Sequence, residues 1–508
     1  MTSDTAKQYT SELPTALYRA EEVRELDRLA IEEHGIAGFE LMSRAGQAAF
    51  DLLRDLWPEA RQLCVFVGTG NNGGDGYVVA ALAEKAGFEA HVVQVGDPEK
   101  TRGDAATARQ RAEEEGASFE LFDPEGEYQG DVIIDAMLGT GLSGEVRGPY
   151  RAAIDLINRS GCPVLAADIP SGLCSDTGRV LGQAVKADAS ITFIGCKQGL
   201  LTGQAPDFVG NLYFAPLQVP ALVFDALAPS ARLITTAQIT RWLPPRSRLS
   251  HKGNNGHVLV IGGDLGMGGA VAMAAEAAGR VGAGLTSVVT RPQHVTPVLA
   301  RRPECMVLGV DEGADISAQL AKADVLVVGP GIGQGDWGQA LLRQALASGL
   351  PLVLDADGLN LLAQWQQDAT VMERGNWVLT PHPGEAARLL NQSTAQLSED
   401  RFAAVQALQS RYGGAVVLKG PGSLIAGEQP APWVCRSGNP GMATGGMGDV
   451  LSGVVGGLLA QGLTLEQAAA AGVQIHATAG DRASDQAGQR GLLATDLMPY
   501  IRRLVNAR

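Results

Sequence analysis

The sequence lacks the features that mark exported, disulfide-bonded or zinc-binding proteins. It has six cysteines among 508 residues, and no two of them form a C-x-x-C pair. Neither a disulfide framework nor a zinc site is therefore indicated, and a reducing, cytoplasmic location is expected. The N-terminal segment has no basic stretch followed by an apolar one, and no continuous apolar run reaches about 18 residues. We therefore predict no export signal and no membrane-spanning helix.

Basic charge is also scarce. Lys and Arg total 40 against 55 Asp and Glu, and no block of basic residues offsets the formal net charge of -15. Binding to nucleic acid or to an anionic membrane is therefore disfavoured. Small anionic ligands remain possible, because backbone amides and helix N-termini can hold phosphate in an acidic protein. We expect small-molecule partners and a homo-oligomer.

The order of apolar segments predicts two α/β domains. Apolar residues recur at helical spacing over residues 19–57, which predicts two amphipathic helices, and short apolar runs then alternate with helical segments. This alternation is typical of a parallel sheet with crossover helices. A Pro-rich, irregular stretch near residue 230 separates a second series of the same kind. We place the domains at residues 17–225 and 235–505, joined by a linker at 226–234.

Polar residues follow three apolar runs of the first domain. The stretch "GTGNNGGDG" (68–76) predicts a strand, a glycine-rich turn and a helix, although its spacing differs from G-x-G-x-x-G and a plain β–α connection would also explain it. Asp135 and Asp168 each come directly after an apolar run, where an Asp can also cap a helix. Because the carboxyl ends of parallel strands meet at one edge, we expect both carboxylates near Asn72 and Asp75.

The combination of "GTGNNGGDGYVVA", "DAMLGTGLSG" and "DIPSG" resembles the N-terminal epimerase domain of the YjeF family of NAD(P)H-hydrate repair enzymes. The resemblance implies a Rossmann-like three-layer α/β/α domain that interconverts the R and S forms of hydrated NADH and NADPH (NADHX and NADPHX). It implies that the substrate contacts Asn71, Asn72, Gly73, Gly74, Asp75, Gly139, Thr140, Gly141, Leu142, Ser143, Gly144, Glu145 and Asp168.

The same resemblance implies a potassium ion beside this site, at positions that match Asn72, Asp135 and Ser171. Oxygen ligands of this kind suit a hard cation, whereas its identity as potassium rests on the resemblance. Asp168 is the predicted proton-handling residue. Asp75 and Asp135 remain alternatives.

Four signals follow apolar runs of the second domain. They are glycine-rich turns after "HVLVIGG" and in "VVGPGIG", an imidazole and a carboxylate in "LTPHPGE", and Lys419 in "VVLKGPGS". Taken singly, His382 could be a structural histidine, and Lys419 could be a solvated surface lysine. Their shared position at strand ends predicts one cleft.

The stretch "NPGMATGGMGDV" (439–450) contains no Lys but places Asp449 after Gly445, Gly446 and Gly448 and before an apolar helix. Free amides in this turn could stabilise phosphoryl oxygens, and Asp449 could then take a proton from an accepting hydroxyl. The alternative is that Asp449 caps the helix. The helix N-terminus is expected to favour the ionised carboxylate.

With "KGPGS", "DADGLN" and "TPHPGE", this turn resembles the ADP/ATP-dependent dehydratase domain of the same family, which is ribokinase-like. The resemblance implies that this domain dehydrates the S hydrate and converts ADP or ATP to AMP or ADP and phosphate. It implies substrate contacts at Ala270, Gly333, His382 and Asp449, and nucleotide contacts at Lys419, Gly420, Pro421, Gly422, Ser423 and Gly448. Glu385 is the predicted residue that orders magnesium, by analogy with related kinases.

Two rival interpretations remain at this point. The second domain could be a kinase for a hydroxylated vitamin precursor, because the same anion-binding turn would serve a kinase that releases a phosphorylated alcohol. The first domain could be a nucleotide-sensing or protein-interaction module.

Overall fold

The computed structural model describes residues 7–365 and 372–506. The chain divides into two compact units, one ending at Arg232 and the other beginning at Leu233. Both units are α/β structures, as predicted from the alternation of apolar runs and helical segments. The segment predicted as a linker contains a short strand, β10 (Ala231–Leu233), which spans the boundary between the units.

The first unit is built on a seven-stranded parallel sheet in the order β4-β3-β2-β5-β6-β7-β9. A short ladder outside that sheet pairs β1 with β8 in parallel and with β10 in antiparallel orientation. The strands are β1 (Ala16–Tyr18), β2 (Gln62–Val67), β3 (Glu89–Gln94), β4 (Ser118–Leu121), β5 (Val132–Ala136), β6 (Val164–Ala167), β7 (Ala189–Phe193), β8 (Cys196–Lys197) and β9 (Asn211–Ala215). The strand order reverses between β2 and β5, and ligands of open α/β sheets bind outside such a reversal.

The helices of the first unit cover both faces of the sheet, and an apolar core lies on each face. They are α1 (Ala20–Glu32), α2 (Gly38–Leu56), α3 (Asn71–Lys85), α4 (Gly103–Glu115), α5 (Pro149–Arg159) and α6 (Ala221–Asp225), with 3₁₀ turns at Pro98–Lys100, Gln198–Leu201 and Ala205–Asp207. The amphipathic pattern of residues 19–57 correctly predicted α1 and α2. In α1 the apolar positions Val23, Leu26 and Ala30 are buried on one face.

The second unit has a sheet in the order β13-β12-β11-β14-β15-β16-β17-β18-β19, whose last two pairings are antiparallel and whose others are parallel. Its strands are β11 (His257–Ile261), β12 (Leu285–Thr290), β13 (Met306–Gly309), β14 (Val325–Val328), β15 (Leu352–Leu354), β16 (Trp377–Leu379), β17 (Ala415–Leu418), β18 (Ser423–Ala426) and β19 (Trp433–Cys435). Here the order reverses between β11 and β14.

The helices of the second unit enclose a core rich in Ala and Val. They are α7 (Thr236–Trp242), α8 (Gly268–Val281), α9 (Val295–Arg301), α10 (Ser317–Leu320), α11 (Asp336–Ala347), α12 (Asp357–Trp365), α13 (Pro383–Leu390), α14 (Thr394–Glu399), α15 (Arg401–Tyr412), α16 (Met447–Ala460), α17 (Leu465–Ala487) and α18 (Met498–Leu504), with 3₁₀ turns at Lys252–Asn255, Pro292–His294, Pro440–Met442 and Ala494–Leu497.

Helix α16 lies directly against α8 because glycine occupies the contact. A Cβ atom added at Gly453 would lie 2.1 Å from the carbonyl oxygen of Ala274, and one at Gly457 would lie 2.4 Å from a methyl of Val281. Both distances are far below van der Waals contact, so a side chain at either position would force the helices apart. Glycine in "VLSGVVGGLLA" therefore fixes the position of the turn that carries Asp449.

Across the described parts of the chain, no helix combines the length and the apolar character needed to cross a membrane.

Candidate functional sites

A cavity of about 670 Å³ lies at the strand-order reversal of the first unit. The predicted substrate contacts on its wall are Asn71, Asn72, Asp75, Gly139, Thr140, Gly141, Leu142, Ser143 and Asp168. They come from the N-terminus of α3, from the loop after β5 and from the end of β6. Three separate segments of the sequence therefore line one cavity. This agrees with the strand-end argument for Asp168, whereas Asp135 is not on the cavity wall.

Four other predicted contacts do not appear on the cavity wall: Gly73, Gly74, Gly144 and Glu145. A Cβ at Gly73 would lie 2.2 Å from the carbonyl oxygen of Gly68, and a Cβ at Gly74 would lie 2.5 Å from the sulfur of Met42. Glycine at these two positions therefore lets α3 pack closely against its neighbours. Contact of Gly73 and Gly74 with the substrate stays a prediction.

The three residues predicted to bind potassium are buried beside the cavity. Asp135 is fully buried, and its carboxylate accepts the N–H of Ser171 at 2.7 Å and the hydroxyl of Ser171 at 2.6 Å. Burial raises the pKa of Asp135 to about 6, although these hydrogen bonds oppose the shift. Both side-chain amide atoms of Asn72 are buried without a hydrogen-bond partner among the described residues. A buried amide without a partner fits a bound cation, because buried polar atoms are normally satisfied.

Asp168 is held by contacts that its sequence motif does not reveal. Its φ of 65° lies in the left-handed region, which a non-glycine residue rarely adopts. The ammonium of Lys197 forms an ion pair with its carboxylate and also donates to the carbonyl of Phe193 at 3.0 Å. The N–H of Phe193 lies 3.3 Å from the same carboxylate oxygen. The Asp168 side chain is therefore fixed in place, and its charge is balanced by a buried lysine.

Two residues of this cavity, Lys197 and Asp27, were missed by the sequence analysis. Both line the cavity together with Asp75 and Asp168. For each residue, the sequence contains a charged side chain on an otherwise apolar helix face or strand. Asp27 interrupts the buried face of α1 between Val23 and Ala30, and Lys197 ends β8, which is entirely buried.

The carboxyl groups of Asp27 and Asp75 accept no hydrogen bond from any residue that the structure describes. Burial raises the pKa of Asp27 to about 6, Lys197 opposes this shift, and Asp168 adds to it. Burial, with the neighbouring Asp168 and Asp27, raises the pKa of Asp75 well above its usual range. Among the carboxyl groups of the cavity, Asp168 is thus ion-paired, whereas Asp27 and Asp75 have no fixed donor among the described residues.

In the second unit, the two glycine-rich turns meet at the strand-order reversal. The N–H of Gly263 donates to the carbonyl of Pro330 at 2.9 Å, so the turn after β11 is hydrogen-bonded to the turn after β14. Gly331 has a φ of 58°, and a Cβ there would lie 3.3 Å from the Cβ of Ala270. Gly333 donates its N–H to Asp357 at 3.2 Å. The structure therefore places Ala270 and Gly333 in adjoining turns.

Lys419, which directly follows β17, lies among three acidic residues: Asp355 after β15, Glu385 in α13 and Asp449 in α16. Its ammonium is 2.8 Å from Asp355 and 3.9 Å from Glu385. Burial would lower the pKa of Lys419, but Asp355 and Glu385 raise it, with a smaller contribution from Asp449. Lys419 is thus a partly buried, ion-paired cation rather than the solvated lysine of the alternative interpretation, and Asp355 is its closest partner.

Asp355, which the sequence analysis quoted only as part of "DADGLN", is the centre of this network. It is 1% exposed and accepts the hydroxyl of Ser452 at 2.7 Å as well as the Lys419 ammonium. Burial alone would raise its pKa, but Lys419, Ser452 and Thr380 outweigh burial and lower it. A Cβ at Gly448 would lie 3.3 Å from a carboxylate oxygen of Asp355 and 3.4 Å from the Lys419 nitrogen. The glycine-rich turn therefore touches the ion pair.

Asp449 lies in the first turn of α16, but it is not the cap. The N-cap is Gly446, with a φ of 91°, so the capping alternative is wrong. Burial and then Asp355 raise the pKa of Asp449 to about 7, and Lys419 opposes them. Burial and the neighbouring Asp355 therefore act against the helix N-terminus, which by itself favours the ionised carboxylate.

The turn before α16 presents unpaired donors. Within the described residues, the N–H groups of Gly445, Gly446 and Gly448 have no acceptor, as expected for the start of a helix that no side chain caps. These amides lie next to Asp449 in the chain, and Gly448 lies beside Lys419. Several donors and one cation near a single carboxylate can hold an anion whose charge changes during a reaction.

His382 and Glu385 occupy the N-terminus of α13. The N–H of His382 donates to Glu385 at 2.8 Å, and its ring nitrogen Nε2 lies 3.3 Å from the same carboxylate. Burial raises the pKa of Glu385 to about 7, Lys419 opposes this shift, and Asp355 adds to it. Burial, with Lys419 and Arg388, lowers the pKa of His382. Glu385 therefore connects His382 to the Lys419 network.

The predicted nucleotide turn "KGPGS" is organised by a buried arginine that the sequence analysis missed. The Arg401 guanidinium approaches the carbonyl oxygens of Leu418 and Lys419, each at 3.4 Å, and of Gly422 at 3.5 Å. Gly420 has a φ of 136°, and the hydroxyl of Ser423 donates to its carbonyl at 3.0 Å. The backbone of the turn is thus held from its inner side by Arg401.

The described residues contain no group of three or more His, Cys, Asp or Glu side chains placed to hold a metal ion.

Comparison with known proteins agrees with this two-site arrangement. Residues 38–199 match the family model for the YjeF-related protein N-terminus, and residues 258–503 match the model for NAD(P)H-hydrate dehydratase. The chain is 51% identical to the bifunctional NAD(P)H-hydrate repair enzyme of Coxiella burnetii, over 97% of this chain and all of that one. The chain belongs to the family of bifunctional NAD(P)H-hydrate repair enzymes.

Other comparisons support the same family. The Escherichia coli bifunctional NAD(P)H-hydrate repair enzyme is 42% identical over 100% of this chain and 97% of its own. A solved ribokinase-like superfamily protein from Enterococcus faecalis, 32% identical, covers 55% of this chain and 96% of its own with a TM-score of 0.50. The chain is thus an enzyme with an epimerase domain and a ribokinase-like dehydratase domain, as the resemblance implied. The alternative of a vitamin-precursor kinase fused to a sensing module is not favoured.

The ion pair of the dehydratase domain leads to a prediction about stability. Lys419→Met leaves Asp355 buried without its cation, so we expect the free energy of unfolding of this domain to fall by about 3–5 kcal/mol. Denaturant unfolding of the full chain, followed by a probe in residues 233–506, measures the change. The matched control is Lys322→Met, because Lys322 is exposed. If Lys419→Met is as stable as Lys322→Met, Lys419 does not balance Asp355.

Proposed function

We infer that the two sites catalyse successive steps on one class of substrate, the hydrates of NADH and NADPH. The observation that carries this inference is the placement of Asp449 beside donor amides and Lys419 in one domain, while the other domain has a separate cavity lined by carboxyl groups. The first site interconverts the R and S hydrates. The second dehydrates the S form with ADP or ATP as the phosphoryl donor.

The second site is suited to turning a hydroxyl into a leaving group. The substrate hydroxyl sits on a saturated ring carbon, and hydroxide leaves poorly. Asp449 takes the hydroxyl proton as that oxygen accepts the phosphoryl group, and the amides of Gly445, Gly446 and Gly448 stabilise the phosphoryl oxygens. Phosphate then departs with help from the ring nitrogen, and the neighbouring ring carbon loses a proton to solvent as the double bond of the reduced dinucleotide forms. Ala270, Gly333 and His382 are the proposed contacts that hold the substrate ring near Asp449.

The adenine nucleotide is proposed to lie against Lys419, Gly420, Pro421, Gly422, Ser423 and Gly448. Two observations support this placement: the turn is fixed from its inner side by Arg401, and Lys419 provides a positive charge near the amide donors. Magnesium would be ordered with the help of Glu385, whose carboxylate oxygens suit a hard cation. The ion would neutralise charge on the phosphates when bound.

Potassium is the proposed cation of the first site, with Asn72, Asp135 and Ser171 as its protein ligands. All three ligand atoms are oxygen, and the buried amide of Asn72 lacks any other partner in the described residues. When bound, the ion would provide positive charge next to the loop after β5 that lines the cavity. Asp168, paired with Lys197, is the proposed residue that handles the substrate proton.

Removal of the Asn72 amide tests the potassium site without costing a hydrogen bond. Asn72→Ala is expected to leave stability in potassium-free buffer unchanged or slightly higher, because the amide is buried and unpaired. Potassium should raise the unfolding temperature of the parent but not of Asn72→Ala, since a ligand stabilises only the state that binds it. The measurement is thermal unfolding in matched potassium, sodium and choline chloride. Equal stabilisation of both proteins by potassium would place the ion elsewhere.

The proposed function is tested by incubating a mixture of R and S hydrates with the full chain and ADP, ATP or neither. Each epimer is followed by chromatography, and reduced nicotinamide is followed by its absorbance. We expect epimer exchange without nucleotide, and complete conversion to reduced dinucleotide and phosphate with it. Accumulation of a stable phosphorylated product would instead support a kinase. Loss of only one epimer would mean that the first site does not exchange them.

A further inference from the structure

The first site has an acidic residue that the proposed function does not use. Asp27 lies on α1, before residue 38, where the match to the epimerase family model begins. It nevertheless lines the same cavity as Asp168 and Asp75. Its neighbours on α1, Leu26 and Ala30, are fully buried, so the helix is held firmly against the unit and presents Asp27 to the cavity.

The charged groups around Asp27 divide into two kinds. Lys197 on β8 is 1% exposed and is bound to Asp168 at the end of β6, so this pair is a fixed carboxylate and ammonium. Asp27 accepts no hydrogen bond within the described ranges, and neither does Asp75 on α3. Arg24 on α1 and Asp104 on α4 also line the cavity. The cavity therefore contains two different carboxyl groups. Asp168 is paired with the Lys197 ammonium, whereas Asp27 has no hydrogen-bond donor among the described residues.

Epimerisation at this carbon needs both a proton acceptor and a proton donor. The hydroxyl-bearing carbon is bonded to the ring nitrogen, so its configuration is lost if that carbon–nitrogen bond opens. The hydroxyl must lose a proton as the carbon–oxygen double bond forms. The nitrogen, which keeps the electron pair of the broken bond, must gain one.

Resting on the proposed function, we propose that Asp27 is the proton donor of the epimerase site and that Asp168, paired with Lys197, is the acceptor. Asp168 takes the hydroxyl proton, the carbon–nitrogen bond breaks, and the nitrogen takes the proton of Asp27. Rotation about the adjacent carbon–carbon bond turns the other face of the aldehyde to the nitrogen. Ring closure reverses both transfers, so each carboxyl group regains its first state and no other reactant is consumed.

The electrostatics favour Asp27 over Asp75 for this role. Burial, opposed by Lys197, raises the pKa of Asp27 to about 6, so the group can both give and recover a proton near neutral pH. The charged form of Asp75 is strongly disfavoured, because burial and two neighbouring carboxylates raise its pKa well above the usual range. A donor that cannot become charged readily is a poor general acid.

The test measures epimer exchange by the full chain without adenine nucleotide, so that the dehydratase site is inactive, and subtracts the enzyme-free rate at each pH. Asp27→Asn should lower kcat/KM by about 100- to 10,000-fold. In the parent, kcat/KM should fall as the pH rises above about 6, because Asp27 must be protonated. In Asp27→Asn, this decrease of kcat/KM with rising pH should be absent. Asp27→Glu should still show the decrease, with a lower kcat/KM than the parent.

Glu25→Gln is the matched control, since Glu25 lies on α1 but bonds to Arg28 at the surface. It should keep the parental rate, and nucleotide-dependent dehydration of the S hydrate should be unchanged in every variant, which shows that the dehydratase domain is intact. The residual exchange by Asp27→Glu shows that the epimerase domain is folded. Parental exchange by Asp27→Asn, or loss of this decrease in Asp75→Asn but not in Asp27→Asn, would overturn the assignment. If the parent itself does not accelerate exchange, the proposed function fails rather than the choice of Asp27.

Discussion

Asp449→Asn is expected to abolish dehydration almost completely while leaving epimer exchange intact. Asparagine keeps the shape of the side chain but cannot take a proton, so the phosphoryl acceptor stays a neutral hydroxyl. Loss of a general base lowers such rates by about 100- to 10,000-fold. The measurement is the initial rate of reduced-dinucleotide formation from the S hydrate at saturating ADP or ATP. Near-normal dehydration by Asp449→Asn would show that another group is the base.

The pH dependence of the parent gives a second view of the same residue. Because burial and Asp355 raise the pKa of Asp449 to about 7, the ionised form dominates only above that pH. A base must be ionised, so kcat/KM for dehydration should rise with pH and level off above about 7, falling about tenfold for each unit below it. Asp481→Asn serves as a control, since Asp481 bonds to Asn439 outside the network. A profile without this limb would contradict the assignment.

The second large effect concerns the epimerase site, where Asp168→Asn should stop epimer exchange. Asparagine cannot accept the hydroxyl proton, and it also leaves the buried Lys197 ammonium without its carboxylate. We expect kcat/KM for exchange to fall by about 100- to 10,000-fold. The rate is measured without nucleotide, by separating the two epimers over time.

Dehydration of the S hydrate is the internal control for Asp168→Asn, because it takes place in the other domain. Its rate should match the parent, since distant and independent sites respond separately to substitution. Starting from the R hydrate, however, the same variant should form reduced dinucleotide only as fast as the uncatalysed exchange supplies the S form. Equal loss of both activities would count against separate sites.

The fold class and the family could be predicted from the sequence because both depend on local patterns. Apolar runs followed by glycine or Asp indicate strand ends, and strand ends of a parallel sheet converge on one edge. The turn before Asp449 was recognisable for the same reason, since its donors are neighbours in the chain. The patterns could not show which carboxylate forms an ion pair with which lysine.

Asp355, Lys197 and Arg401 illustrate what was missed. Each is a charged residue inside or beside a buried strand or helix, and its role depends on a partner far away in sequence, such as Lys419 for Asp355. Charged residues that are distant in sequence but close in space also shift the pKa values of the site carboxyl groups. The pKa of Asp449 departs from the value expected at a helix N-terminus because Asp355, on another strand, adds to the effect of burial. A sequence pattern contains no measure of burial, so this result needed the structure.

The pairing of β1 with β8 has a practical consequence for dividing the chain. Tyr18 pairs with Lys197, so the strand that precedes α1 supports the strand that carries the lysine of the epimerase site. A fragment cut at Gly38, where the match to the family model begins, would lose this support together with the cavity wall formed by α1. Excision at the limits of the family-model match would therefore yield a domain with an open and incomplete site. An active epimerase fragment needs the first strand as well.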